Sequence, residues 1–236
     1  MEEIKMSKKG LFVVIEGSDG TGKKTQCDLL NKRLADEGFE VKLLDFPRYE
    51  ERSSLPVQLY LNGDLGNLED IDARAASLLF AFDRKQTADQ IRAWLGSGSI
   101  VLSNRYVASN LGHQGGKIED SVEREEFWSD LMYLEYGFCR LPKPDINIIL
   151  YVDLDIAHKN VGKKEDRKYL KGKRRDIHED DKSHQFNAAE AYRNLVETYP
   201  KDFILIECSP DGEILSAEKI HELIWKELET LLANKQ

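Results

Sequence analysis

Three cysteines in 236 residues, Cys27, Cys139 and Cys208, are odd in number and far apart. That excludes a disulfide framework, and no pair has metal-ligand spacing, so reduced thiols in a reducing compartment are expected. Met1 to Lys9 is charged and lacks an apolar stretch long enough for a signal peptide or membrane anchor, which makes the cytoplasm the expected location. Positive charge is in deficit: the formal net charge of −9 leaves no broad basic face for coating nucleic acid. Any anionic ligand must then be met by a local cluster of Lys and Arg. Solenoid repeats and low-complexity tracts are absent as well. What remains is globular composition, 41% hydrophobic and 33% charged, in a chain long enough to bury one substantial core, so residues 1–236 are expected to form a single domain.

The apolar runs are short and separated by helix-length amphipathic segments. Leu11 to Ile15, between Gly10 and Gly17, reads as a buried strand, followed by a helix from about Lys23 to Glu37 with Gly38 as its stop. Val41 to Phe46 reads as a second strand and Ile100 to Leu102 as a third. Ile146 to Val152 and Phe203 to Ile206 supply the fourth and fifth. Between them, Ile71 to Leu95, Val122 to Phe138 and Ile214 to Leu232 carry helical spacing. Strands alternating with helices predict an α/β fold, a five-stranded parallel sheet with helices on both faces. In such sheets ligands bind at the carboxyl ends of the strands.

At the end of the first strand stands Gly17-Ser18-Asp19-Gly20-Thr21-Gly22-Lys23-Lys24-Thr25. The spacing of Gly17, Gly22 and Lys23, with a strand before and a helix after, fits a phosphate-binding P-loop. Glycines let several backbone N–H groups converge on one anion, and the helix adds its positive dipole end. Lys23 supplies a mobile charge for β- and γ-phosphates. The predicted ATP-phosphate site is Gly17, Gly20, Thr21, Gly22, Lys23, Lys24 and Thr25. One position departs from the pattern: Lys24 stands where a Ser or Thr would ligate Mg²⁺. Thr25 does not replace it, because one residue along a helix turns the side chain by about 100°.

Beyond the loop, the chain resembles the thymidylate kinases in four stretches taken in order: Phe12–Gln26 (FVVIEGSDGTGKKTQ), Asp45–Arg48 (DFPR), Leu78–Arg84 (LLFAFDR) and Ser103–Ser109 (SNRYVAS) with Gln114-Gly115-Gly116 after it. Leu141–Asp145 (LPKPD) adds a fifth. The resemblance implies a P-loop fold with a mobile lid, ATP as phosphoryl donor, dTMP as acceptor and Mg²⁺. It also implies a homodimer that works on small nucleotides, with no nucleic-acid or membrane partner. By resemblance the acceptor site is Asp19, Phe46, Arg48, Phe80, Arg84, Arg105, Ser109, Asn110, His113 and Gln114. Arg48 would hold the acceptor phosphate bidentately, Phe80 would stack on thymine, and Arg84, four residues on, would hydrogen-bond the base. Asp19 would accept from the sugar 3′-hydroxyl, Gln114 has the amide needed to read a pyrimidine edge, and Arg105 would reach the transferring phosphate. His113 stands where relatives carry an aromatic residue that crowds a ribose 2′-hydroxyl; histidine is smaller, which leaves deoxyribose selectivity open.

A second departure is Asn104, where relatives usually carry an aspartate that organises the metal. An amide accepts a hydrogen bond but brings no negative charge. Lys24 and Asn104 therefore read as coupled changes, with Glu16, Asn104 or Asp153 as candidates for the metal's outer shell. Lys163 to Lys182 is rich in both charges and falls where the family carries its lid, about residues 163–183. Some relatives place a catalytic arginine in the P-loop; Gly20 stands there here, so Arg174 or Arg175, with Arg167 behind them, would join Lys23 and Arg105 as catalytic groups. His178 and His184 read as solvated surface histidines, since their spacing is not that of metal ligands. The competing readings are another or a broad-specificity deoxynucleoside-monophosphate kinase, and a nucleotide-binding protein whose catalysis was lost with Lys24 and Asn104.

Overall fold

The computed structural model describes residues 10–153, 156 and 176–233. Strand β1, Leu11–Glu16, is buried along its whole length, as a β-branched run between two covered faces must be. It pairs in parallel with β3 (Ile100–Asn104) on one side and β4 (Ile146–Tyr151) on the other. Outside them lie β2 (Val41–Asp45) and β5 (Phe203–Glu207), giving the order β2-β3-β1-β4-β5. The five-stranded parallel sheet expected from the sequence is present.

Alternation along β1 sorts the core. Phe12 and Val14 face helices α5 (Val107–His113), α6 (Ser121–Met132) and α8 (Lys182–Thr198), meeting Leu111, Trp128, Tyr192 and Leu195. Leu11, Val13 and Ile15 face the opposite way, onto Leu30 and Leu34 of α1 (Lys23–Asp36) and Ile224, Trp225 and Leu228 of α9 (Ala217–Ala233). Among the described residues no helix is long and apolar enough to cross a membrane.

Several elements depart from the sequence expectation. The helical stretch Ile71 to Leu95 is two helices, α3 (Ala73–Lys85) and α4 (Ala88–Gly96). They part at Thr87, whose N–H and hydroxyl both donate to the Arg84 carbonyl, at 3.0 and 2.7 Å, and close the first helix. The stretch Val122 to Phe138 is regular only to Met132 and then opens into a π-helical turn, Tyr133–Phe138. Two short helices, α2 (Leu55–Leu61) and α5, carry too few residues for a periodic signal. A further short turn, α7 (Ile177–Asp180), precedes α8. The chain leaves β1 toward β2 and leaves β3 toward β4, so the strand order reverses between β1 and β3. The ends of these two strands frame the crevice where ligands bind in such sheets.

Candidate functional site

The loop after β1 folds as its glycines require. A Cβ on Gly17 would lie 2.4 Å from the Leu150 carbonyl oxygen, and Gly22, at φ 87°, forms the left-handed entry to α1. The Thr21 hydroxyl donates to the Ser18 carbonyl at 3.0 Å, and Lys23 Nζ lies across the loop on the same oxygen at 2.6 Å. Thr25 opens into the same cavity, which has a volume of about 830 Å³. Lys24 turns outward to Asp28, 3.3 Å away.

Arg105 follows β3 in a left-handed conformation, φ 67°, a strained position for a residue with a Cβ and one that marks functional sites. Its guanidinium donates to Asp19 Oδ1 at 2.8 Å, to the Gly17 carbonyl at 3.3 Å and to Ser109 Oγ at 3.2 Å. It also reaches His113 Nε2 at 3.1 Å. Burial works against its charge, but Asp19 and other acidic neighbours outweigh that and hold its pKa above the usual value. Asn104 donates to Asp45 Oδ1 at 3.0 Å across adjacent strand ends, while its own Oδ1 is buried without a hydrogen-bond partner. Burial pushes the Asp45 carboxyl up against the pull of Arg105 and Lys24.

The acceptor side rests on α3. Asp83 takes the Arg48 backbone N–H at 2.8 Å and Nε at 3.2 Å, and its carbonyl receives Nη2 at 3.2 Å. Arg48 is thereby fixed, with Ser53 on its other side, between Pro47 and Tyr49, which line the cavity. Arg84, one residue on and 1% exposed, points inward. It is clamped bidentately by Glu135, with Nε at 2.7 Å, and Nη1 donates to the Tyr106 carbonyl at 3.3 Å. Burial opposes its charge, and Glu135 more than restores it. Of five guanidinium N–H groups three are used, which leaves two for the cavity it lines. Glu135 itself is fully buried and also takes Asn110 Nδ2 at 3.2 Å; the π turn aims it inward.

Phe80 and Phe46 line the same cavity, with Gln114 and His113 above them. Neither end of the buried Gln114 amide makes a full hydrogen bond, although it lies beside the Tyr60 hydroxyl. Asn110 is occupied by the Ser77 carbonyl at 3.0 Å and by Glu135.

Glu16 is not turned toward the loop. It takes the backbone N–H groups of Tyr106 and Ser109 at 2.6 and 3.0 Å, the Ser109 hydroxyl at 2.8 Å and the Tyr192 hydroxyl at 3.1 Å. Its part is to seat the start of α5 on the end of β1. Asp153 follows β4, and its N–H donates to Ser209 Oγ at 2.7 Å. Lys24 engages Asp28, and Asn104 engages Asp45, on which the Lys24 charge also acts.

His178 and His184 correct the sequence expectation. Both are buried, because α7 and α8 fold back over α5 and bring them against His113. Arg167, Arg174, Arg175 and the rest of the expected lid up to residue 175 lie outside the described residues. Sequence reasoning also missed Asp83 and Glu135, which hold Arg48 and Arg84. Asp83 carried a signal in its place beside Arg84 at the end of α3; Glu135, fifty-one residues beyond Arg84 inside an irregular turn, carried none.

A thymidylate kinase family model matches residues 15–220. The thymidylate kinase of Bifidobacterium longum subsp. infantis is 32% identical over 94% of this chain and 88% of its own length. That of Mycobacterium tuberculosis is 29% identical over 78% and 85%. The solved thymidylate kinase of Candida albicans superposes with a TM-score of 0.73 at 21% identity, covering 97% of this chain and 94% of its own. With a P-loop, an arginine held by Asp83 and an aromatic–arginine pair on α3 set in that frame, the chain belongs to the thymidylate kinase family.

Proposed function

We propose that this protein transfers the γ-phosphoryl group of ATP to dTMP, giving dTDP for dTTP synthesis. The observation that carries this reading is convergence: the phosphate loop and the base-reading set Phe80, Arg84 and Gln114 open into one cavity, and Asp83, which lines it, holds Arg48. Lys23 neutralises the β- and γ-phosphates, and Arg48 receives the acceptor phosphate with the planar fork that suits it. Arg105 stands between them, braced by Asp19, where charge develops on the transferring group. Transfer of this kind depends on positioning and charge stabilisation more than on covalent chemistry. Phe80 offers a face for thymine, Arg84 its two remaining N–H groups, and Gln114 an amide with both ends available.

Mg²⁺, when bound with ATP, neutralises charge on the bridging phosphates. The donor set fits it: the Asp45 carboxylate and the unpartnered Asn104 oxygen are hard oxygen ligands at the strand ends, and Mg²⁺ takes one or two carboxylates plus phosphates and water. Asp45 and Asn104 would hold it in place of a β3 aspartate, which makes the ligation atypical. We read residues 1–236 as one kinase domain with a lid near 163–183 delivering Arg174 or Arg175, acting as a cytoplasmic homodimer. The two alternative readings are not favoured, because the relatives matched over most of the chain are thymidylate kinases.

The test is phosphoryl transfer from ATP to dTMP, dUMP, the ribose form of TMP, and AMP, each with and without Mg²⁺. Turnover strongest with dTMP is expected. No turnover with any acceptor, despite ATP binding, would overturn the proposal.

A further inference from the structure

The three buried histidines are more than a patch of core. His113 on α5, His178 on α7 and His184 on α8 come from separate elements, yet each offers a ring nitrogen within 4.8 Å of the others. Their rings sit 4.5–5.7 Å apart between centroids. His113 Nδ1 and His184 Nε2 are buried with no hydrogen-bond partner, and buried imidazole nitrogens are normally satisfied. His178 sets its Nε2 on the Tyr60 hydroxyl at 3.0 Å, the outer contact that orients a ligating histidine. Burial keeps all three rings uncharged near neutral pH, the form that binds metal.

We propose that His113, His178 and His184 form a three-imidazole site for a transition-metal dication of the Zn²⁺ or Co²⁺ class, distinct from the oxygen-lined site for Mg²⁺. Three nitrogen donors without a carboxylate suit Zn²⁺, Co²⁺, Ni²⁺ and Cu²⁺ and are poor for Mg²⁺. A tetrahedral ion with bonds of about 2.0 Å needs its ligands about 3.3 Å apart, so the nitrogens close by up to ~1.5 Å, and His113, stacked at 17° and 27° on the other two rings, must also turn to aim its lone pair at the common point.

Arg105 makes the site conditional. A guanidinium only donates, so His113 Nε2 accepts from it and Nδ1 carries the proton in the metal-free protein. An ion on Nδ1 moves that proton to Nε2 and cancels the Arg105 bond, with no net gain or loss of protons. Arg105 keeps Asp19, Ser109 and Gly17. Metal occupancy and the Arg105–His113 contact therefore exclude each other.

The test uses full-length protein free of nucleotide, which would chelate the ion, titrated with CoCl₂ and followed by visible absorption. The expected result is one equivalent giving the intense bands of four-coordinate Co²⁺, displaced by ZnCl₂ and not by excess MgCl₂. His184→Gln should weaken binding by more than about 100-fold, and Tyr60→Phe, which removes only the outer contact, by about tenfold. His221→Gln, on α9 across the sheet, should change nothing. Thermal melting of each variant shows that the fold is retained, and His178→Gln serves if His184→Gln does not fold. Weak octahedral bands, or an affinity indifferent to both His184→Gln and His178→Gln, would overturn the proposal. The readout needs no turnover, so it stands or fails separately from the kinase assay.

Discussion

Replacing Glu135 by Gln keeps its shape and removes its charge. Arg84 is then left as a guanidinium with 1% exposure, still donating to the Tyr106 carbonyl but without its counter-ion. Removing one partner of a buried ion pair costs about 3–5 kcal/mol, because the remaining charge stays desolvated. For a domain of this size about 1 kcal/mol moves Tm by roughly 2–4 °C, so a fall of about 6–20 °C is expected. Thermal unfolding followed by circular dichroism measures it. The companion variant, Glu135→Leu with Arg84→Met, removes both charges and should recover most of the loss, as buried pairs replaced by apolar residues often do. The single variant should also raise KM for dTMP, because Arg84 is no longer held toward the base. A fall in Tm below about 3 °C, or a double variant no better than the single one, would refute the view that Glu135 pins a charge in the base site.

Arg48→Ala should raise the dTMP KM by at least about tenfold with little change for ATP, since a charge-assisted phosphate contact is worth about 1.5–3 kcal/mol; initial-rate kinetics on both substrates separates the two. Asp83→Asn should shift the same parameter in the same direction by less, because Arg48 keeps its own charge. Asp45→Asn should raise the Mg²⁺ concentration needed for half-maximal rate, whereas Lys24→Ser should move it little; a larger effect at Lys24 would contradict the assignment of the ion to the strand ends. Burial pushes the thiols of Cys27 and Cys208 up to about 12, so at pH 8 almost no thiolate is present. A colorimetric thiol reagent should then titrate Cys139 first and the other two only on unfolding.

What the sequence could announce was whatever repeats along one element. β1 showed itself by its β-branched run and α1 by its apolar spacing, and the loop between them by glycines whose need is local. Phe80 and Arg84, singled out by resemblance, lie four residues apart, so spacing already put them on one helix face. The contacts that set the site's electrostatics join distant segments. Arg84 meets Glu135 fifty-one residues later, and Glu16 meets Tyr192 across most of the chain. The histidines were read as solvated because residues 178 and 184 sit in a charged stretch; only the return of α8 over α5 buries them. The break at Thr87 was hidden because a side-chain bond to the preceding turn ends a helix without glycine or proline.

Glu16 ends the strand that carries the phosphate loop, and three of its four hydrogen bonds fasten the helix that carries Ser109 and His113, the fourth going to Tyr192 of α8. The gap between the donor and acceptor halves is therefore a dimension of the folded core, fixed before either nucleotide arrives. The lid proposed near residues 163–183 would then have to bring its arginine and keep water out. How often the phosphoryl group reaches water instead of dTMP would be governed by that cover, while the speed of transfer would be governed by a carboxylate that touches neither substrate.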